Sequence, residues 1–212
     1  MALAAARDCR LVLTNLGFWT PARYALRRMG HIDHFYQMSA ALRRLRFPRL
    51  RSDLRFTEAS EADFDEIARG LKVLDLDSRR EVITRLRFHR AGVPGCHVGR
   101  DARGELVSMQ WLLRPRDAPA LARACPGLYP SLGPDEVLIE NIFVYPSYRG
   151  LGTFETVNHA VLDRAQREGF RVCHTFVRKD NVPSLNGNLD LGFRIRRLVT
   201  GFSVAGVSWR TL

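Results

Sequence analysis

"VYPSYRGLGTFETV", Val144–Val157, decides how this chain is read. A strand-like run ends at a proline. Arg149-Gly150-Leu151-Gly152 then leads into a segment with helical spacing. The first N–H groups of a helix have no internal acceptor, and the helix dipole makes that end attractive to anions. Two glycines let the backbone wrap close to a phosphate, and an arginine adds charge. A tight turn whose glycines only relieve strain is the alternative, because Gly-x-Gly alone is a weak signal.

Working outward, Val137–Val144 reads as the strand before this loop and Gly152–Glu168 as the helix after it. Val157, Val161 and Ala165 form that helix's inner face, and Gly169 its stop. Phe170–Val177 is a second strand and Val182–Leu191 a short helix. Gly192–Gly201 and Phe202–Trp209 are expected as final strands. On the N-terminal side Leu54–Glu58 alternates as a strand, and Ser60 can cap a helix Glu61–Val73. A further helix spans about Ser78–Arg90, and Gly95–Arg100 with Glu105–Arg114 form a hairpin. Residues 115–134 hold five of the ten prolines, which marks an insertion with one short helix near Ala118–Ala124. Pro21 and the spacing of Leu26, Met29, Ile32 and Tyr36 predict helices over 21–47. Residues 1–52 are thus expected to be a basic helical extension on a domain at 53–212.

The 212 residues carry a net charge of +11, yet only Lys72 and Lys179 are lysines. An arginine skew of this kind reflects base composition as well as selection, so the distribution matters more than the total. Residues 1–55 hold eleven arginines against Asp8, Asp33 and Asp53, while the remainder is nearly balanced. That arm suits an acidic partner: a carrier protein, an anionic membrane surface or, less well for want of a recognition motif, nucleic acid. No apolar run is long enough for a membrane span or a signal peptide, which predicts a cytoplasmic protein, with membrane-peripheral attachment through the arm as an option. Four scattered cysteines without Cys-x-x-Cys suggest reduced thiols. His31 and His34 lack a third cluster for a metal, and His159-x-x-x-Asp163 falls within a helix.

Strand, Arg-Gly-x-Gly loop, helix, strand, then "NVPSLNGNLDLGF" (Asn181–Phe193): this order resembles the GNAT superfamily of acyl-CoA-dependent N-acyltransferases over about residues 54–209. Arg149, Gly150 and Gly152 match its first signature. Asn181, Ser184, Gly192 and Phe193 match its second. "DEVLIENIFVYPSYR" is similar to the same strand in ribosomal-protein alanine acetyltransferases. The resemblance implies a mixed, mainly antiparallel α/β sheet flanked by helices, with acetyl-CoA or another acyl-CoA as co-substrate, no metal and an amine acceptor. It implies coenzyme A phosphates on the N–H groups of Leu151, Gly152, Thr153 and Phe154. Pantetheine would run beside Ile142, Phe143 and Val144, with contacts from Asn181 and Ser184. A backbone N–H near Phe143 or Val144 would stabilise the oxyanion.

Two departures from the family pattern stand out. Phe154 occupies a position normally held by Gly or Ala, and the tyrosine that commonly protonates the leaving thiolate falls on Asn188. Expelling a thiolate of pKa near ~8.5 at neutral pH costs only about 2 kcal/mol, so loss of the acid does not abolish transfer. Phe176 stands where the alanine acetyltransferases carry a glutamate, leaving Glu136 and Glu140 as candidate bases, four residues apart on one strand face. The rival expectations are a carrier-protein-dependent N-acyl transferase and a non-catalytic acyl-CoA sensor or scaffold.

Overall fold

The computed structural model describes residues 30–45, 51–150, 152–204 and 207–212. Its centre is one eight-stranded sheet: β1 (His31–Ala41), β2 (Arg55–Glu58), β3 (Cys96–Arg100), β4 (Leu106–Leu113), β5 (Glu136–Val144), β6 (Val172–Arg178), β7 (Arg194–Val204) and β8 (Val207–Arg210). The spatial order is β2-β3-β4-β5-β6-β1-β7-β8, and every pairing is antiparallel except β5–β6. Helices α1 (Glu61–Gly70) and α2 (Leu76–Arg90) contribute Phe64, Ile67, Val82, Ile83 and Leu86 to the core on one face. The other face is covered by α4 (Thr153–Arg167) and α5 (Val182–Leu191) through Val161, Leu162, Ala165 and Leu191. The short helix α3 (Ala118–Ala124) lies in the proline-rich insertion and buries Leu121 in the α1–α2 core.

Local chemistry explains the helix starts. Ser60 and Asp63 exchange hydrogen bonds, Asp63 N–H to Ser60 Oγ at 3.3 Å and Ser60 N–H to Asp63 Oδ2 at 2.7 Å. Asp75 caps α2 by accepting from the N–H groups of Asp77 and Ser78. Among the described residues no helix is long and apolar enough to cross a membrane.

The N-terminal expectation is corrected here. Residues 31–41 are a strand, not a helix, and β1 lies between β6 and β7, so the sheet reaches back beyond residue 53. The reason is burial on both faces. Met38 and Ala40 enter the core, while the neighbouring Gln37 and Ser39 are buried too, so the alternation that reveals a half-exposed strand is absent. Arginines satisfy the polar pair: Arg197 Nε donates to Gln37 Oε1 at 2.6 Å and Arg196 Nε to Ser39 Oγ at 2.5 Å. The expected helix over 21–29 lies outside the described residues. At the other end, the break anticipated at Gly201 does not occur, since β7 runs on to Val204.

Two irregularities shape the middle of the sheet. Strands β5 and β6 pair only over Glu136–Leu138 with Val172–His174; beyond that β5 stays on β4 while β6 stays on β1. The two central strands therefore part. Within the free half of β5, Asn141 has φ 55°, the one positive-φ residue other than glycine among those described, and the register to β4 shifts there. This bulge changes the side-chain parity: Leu138 and Phe143, five apart, enter the same core.

Candidate active site

The glycine loop answers its own question. Gly150 (φ 81°) and Gly152 (φ 76°) both adopt left-handed conformations, which L side chains rarely accept. Thr153 N–H bonds back to Gly150 O, and Thr156 N–H to Gly152 O. The first turn of α4 begins directly at this loop, and the N–H groups at a helix start have no acceptor within the helix, which is where an anion binds. Arg51, which the sequence patterns did not single out, donates from Nη1 to Thr153 Oγ1 at 3.2 Å. Leu151 lies outside the described residues.

A cleft of about 530 Å³ opens in front of this helix start. The expected residues Ile142, Phe143, Val144, Arg149, Gly150, Gly152, Phe154, Asn181 and Ser184 all line it. Thr153 does not, being fully buried behind the loop. Asn181 caps α5 by accepting Ser184 N–H at 3.2 Å, while its helix forms one wall of the cleft. The bulk of Phe154 is accommodated from the facing helix. A Cβ on Gly187 would lie 2.8 Å from the Phe154 ring, so the glycine makes the room that the phenylalanine takes.

The bulge aims the backbone. Tyr145 N–H bonds Val107 O on β4, so by ladder alternation the N–H and C=O of Val144 point the other way, into the gap left by β6. The Val144 carbonyl indeed accepts from Arg149 Nε at 3.1 Å. On the α2 side Arg85 braces the bulge. Its Nε donates to Asn141 O at 2.8 Å and its Nη2 to Ile142 O at 2.7 Å. Arg85 and Arg149 both lie over the Phe143 ring. Burial lowers the Arg85 pKa to about 10, with Glu81 and Glu140 opposing that shift. Glu81 and Arg85 line the cleft, and neither carried a motif that would have flagged it.

The two candidate carboxylates have different surroundings. Glu136 accepts Gly133 N–H at 2.8 Å and lies 3.3 Å from His174 Nε2, at the closed end of the β5–β6 pair. Its pKa is lowered, first by the Gly133 hydrogen bond. Glu140 sits where the strands part. Its Oε1 accepts Phe176 N–H and its Oε2 accepts Tyr129 Oη, both at 3.3 Å. Burial raises its pKa, opposed chiefly by the charge of Arg210. Glu140 thus brings a carboxylate to the backbone of the position that Phe176 fills. Tyr129 covers it from the proline-rich insertion. Asn188, in contrast, is buried in the packing of α5: its Nδ2 donates to Ser184 O at 2.8 Å, and it is absent from the cleft lining.

No family model matches the sequence, and no curated protein matches it. Solved structures do. A tandem GNAT protein from the clavulanic acid biosynthesis pathway superposes with a TM-score of 0.51 at 18% identity, over 88% of this chain and 58% of that one. A GCN5-related glucosamine N-acetyltransferase region of a fungal multi-domain GH3 β-N-acetylglucosaminidase gives 0.52 at 12%, over 91% of this chain and 22% of that one. A functionally unknown conserved protein from Staphylococcus epidermidis gives 0.54 at 8%, over 86% and 64%. The chain spans less than two thirds of each of these proteins. At such identities the likeness shows the fold, which is the mixed, mainly antiparallel GNAT type.

Proposed function

With the GNAT fold as premise, we propose that this chain is an N-acyltransferase that moves an acyl group, most simply acetyl, from coenzyme A to an amine. The observation that carries this reading is the gap between β5 and β6. It places the Val144 N–H beside a glycine-built helix N-terminus in one continuous cleft. The diphosphate would rest on the backbone at the start of α4, from Gly152 to Phe154, with Arg149 and Arg51 supplying charge. The thioester carbonyl would lie toward the Val144 N–H, and the amine would attack its carbon. The oxyanion so formed is held by that N–H. On collapse the C–S bond breaks, the thiolate leaves and the new amide keeps the acyl group.

Glu140 takes the proton that the amine nitrogen loses. Its raised pKa makes it the better-matched base, and the insertion that covers it through Tyr129 would then shape acceptor entry. No acid need serve the thiolate, in keeping with an Asn188 that faces the helix interior. Thiol release measured with acetyl-CoA and longer acyl donors against a panel of amines tests the proposal, with saturation in one amine class expected. Tight acyl-CoA binding with no release from any amine would favour a sensor, the reading that the buried Asn188 and covered Glu140 leave open.

A further inference from the structure

Helix α5 separates two hollows. Asn181, Pro183, Ser184 and Gly187, in its first half, line the cleft already described. Leu189 and Asp190, near its C-terminal end, line a second cavity of about 690 Å³. The remaining wall comes from the end of β1, the 3₁₀ turn Leu42–Arg44 and the start of β7. It includes Arg43, Arg44, Arg194 and Arg196, and among the described residues Asp190 is the only acid that lines it.

These arginines differ from several others among the described residues. Arg100 pairs with Asp63 and Glu66, Arg114 and Arg164 with Glu168, and Arg178 with Asp33 and Asp180. Among the described residues, none of the four around this cavity is in an ion pair. The one hydrogen bond they make through a side chain, Arg196 to Ser39, has a neutral acceptor. Their convergence is built by the fold. Ile195 opposes Met38 and Arg197 opposes Gln37, so Arg196 is the extra residue of a bulge. Gly192, at φ 101°, ends α5 so close to the turn that a Cβ there would lie 3.3 Å from Arg44 O.

A role in neutralising the C-terminal end of α5 does not account for four cations. A helix end carries about half a unit of negative charge. Two of its last four carbonyls are already used, since Gly192 N–H bonds Leu189 O and Phe193 N–H bonds Asn188 O. Crowded like charges without counter-charge are unfavourable, and guanidinium groups match phosphate oxygens in pairs. The concave shape suits a small ligand better than a flat surface.

We infer that the Arg43–Arg44–Arg194–Arg196 cavity is a binding site for a small polyanion bearing two or more phosphate groups. It is distinct from the acyl-donor cleft and does not depend on the acyltransferase reading. Calorimetric titration with tripolyphosphate at fixed ionic strength tests it, using R43Q/R44Q, R194Q/R196Q and the charge-matched control R55Q/R69Q. Each cavity variant should weaken binding about tenfold or more, with the control within about twofold of the parent. Parent binding no tighter than to orthophosphate would overturn the site. So would tripolyphosphate affinity that R149Q abolishes and both cavity variants leave intact, because the ligand would then occupy the other cleft. Loss of phosphatidylserine-vesicle binding in the cavity variants, without tripolyphosphate binding by the parent, would replace it with a lipid-facing patch. Circular dichroism on each variant separates loss of fold from loss of ligand.

Discussion

The two ends of β5 carry the same residue type under opposite physical conditions. At the closed end Glu136 is held by a backbone N–H and a histidine, in a ladder that β6 completes. At the open end Glu140 is buried, its ionised form disfavoured, where β6 has moved away and Asn141 turns the chain. One strand therefore supplies two carboxylates whose acidities are shifted in opposite directions. Pairing with β6 at one end, and its absence at the other, separates them.

The largest effect should come from exchanging the two acids. Glu140→Gln is expected to lower turnover about 10²–10⁴-fold, the usual range for a general base, while Glu136→Gln stays within about twofold. Equal losses in steady-state kinetics would erase the distinction between the ends. Next in size, Gly152→Val puts a branched side chain at φ 76° beside the proposed phosphate site. Coenzyme A affinity measured by calorimetry should fall by about 10–100-fold, the worth of one or two charge-assisted hydrogen bonds. Unchanged affinity in a folded variant would remove the donor assignment.

Arg85→Lys keeps the charge but not the fork that holds Asn141 O and Ile142 O. Turnover is expected to drop about tenfold with little change in coenzyme A affinity. A loss confined to affinity would mean that Arg85 binds donor rather than holding the bulge. Asn188→Tyr forces a ring into a site that is 1% exposed. It should cost about 1–3 kcal/mol of stability by thermal melting without raising turnover. A faster enzyme would show that this position reaches the leaving thiolate after all.

The smallest effects are in pH dependence, and their signs are opposite. Glu140 has a raised folded pKa, so its contribution to stability is complete below the unfolded value and lost as pH rises through the folded one. Glu136 has a lowered folded pKa, so its contribution is present above the unfolded value and lost as pH falls. Melting temperatures across that range should show Glu140→Gln removing the alkaline-side loss and Glu136→Gln the acid-side loss.

Sequence by itself determined the elements whose signals are local. The φ demanded at Gly150 and Gly152, the Ser60 cap, the Asn181 cap and the inner face Val157–Val161–Ala165 all depend on residues a few positions apart, and each appears where its pattern placed it. The two signature segments and their order carried the fold type for the same reason. Tertiary structure alone decided what rests on distant partners. Strand β1 shows no alternation because the sheet buries both its faces, and the donors that satisfy Gln37 and Ser39 there come from β7, about 160 residues away. Glu136 and Glu140 are equivalent by spacing. Only the parting of β5 from β6, the cover from Tyr129 and the brace from Arg85 separate a carboxyl held in its ionised form from one whose burial disfavours ionisation, because desolvation and hydrogen bonding are set by neighbours that the chain order does not name.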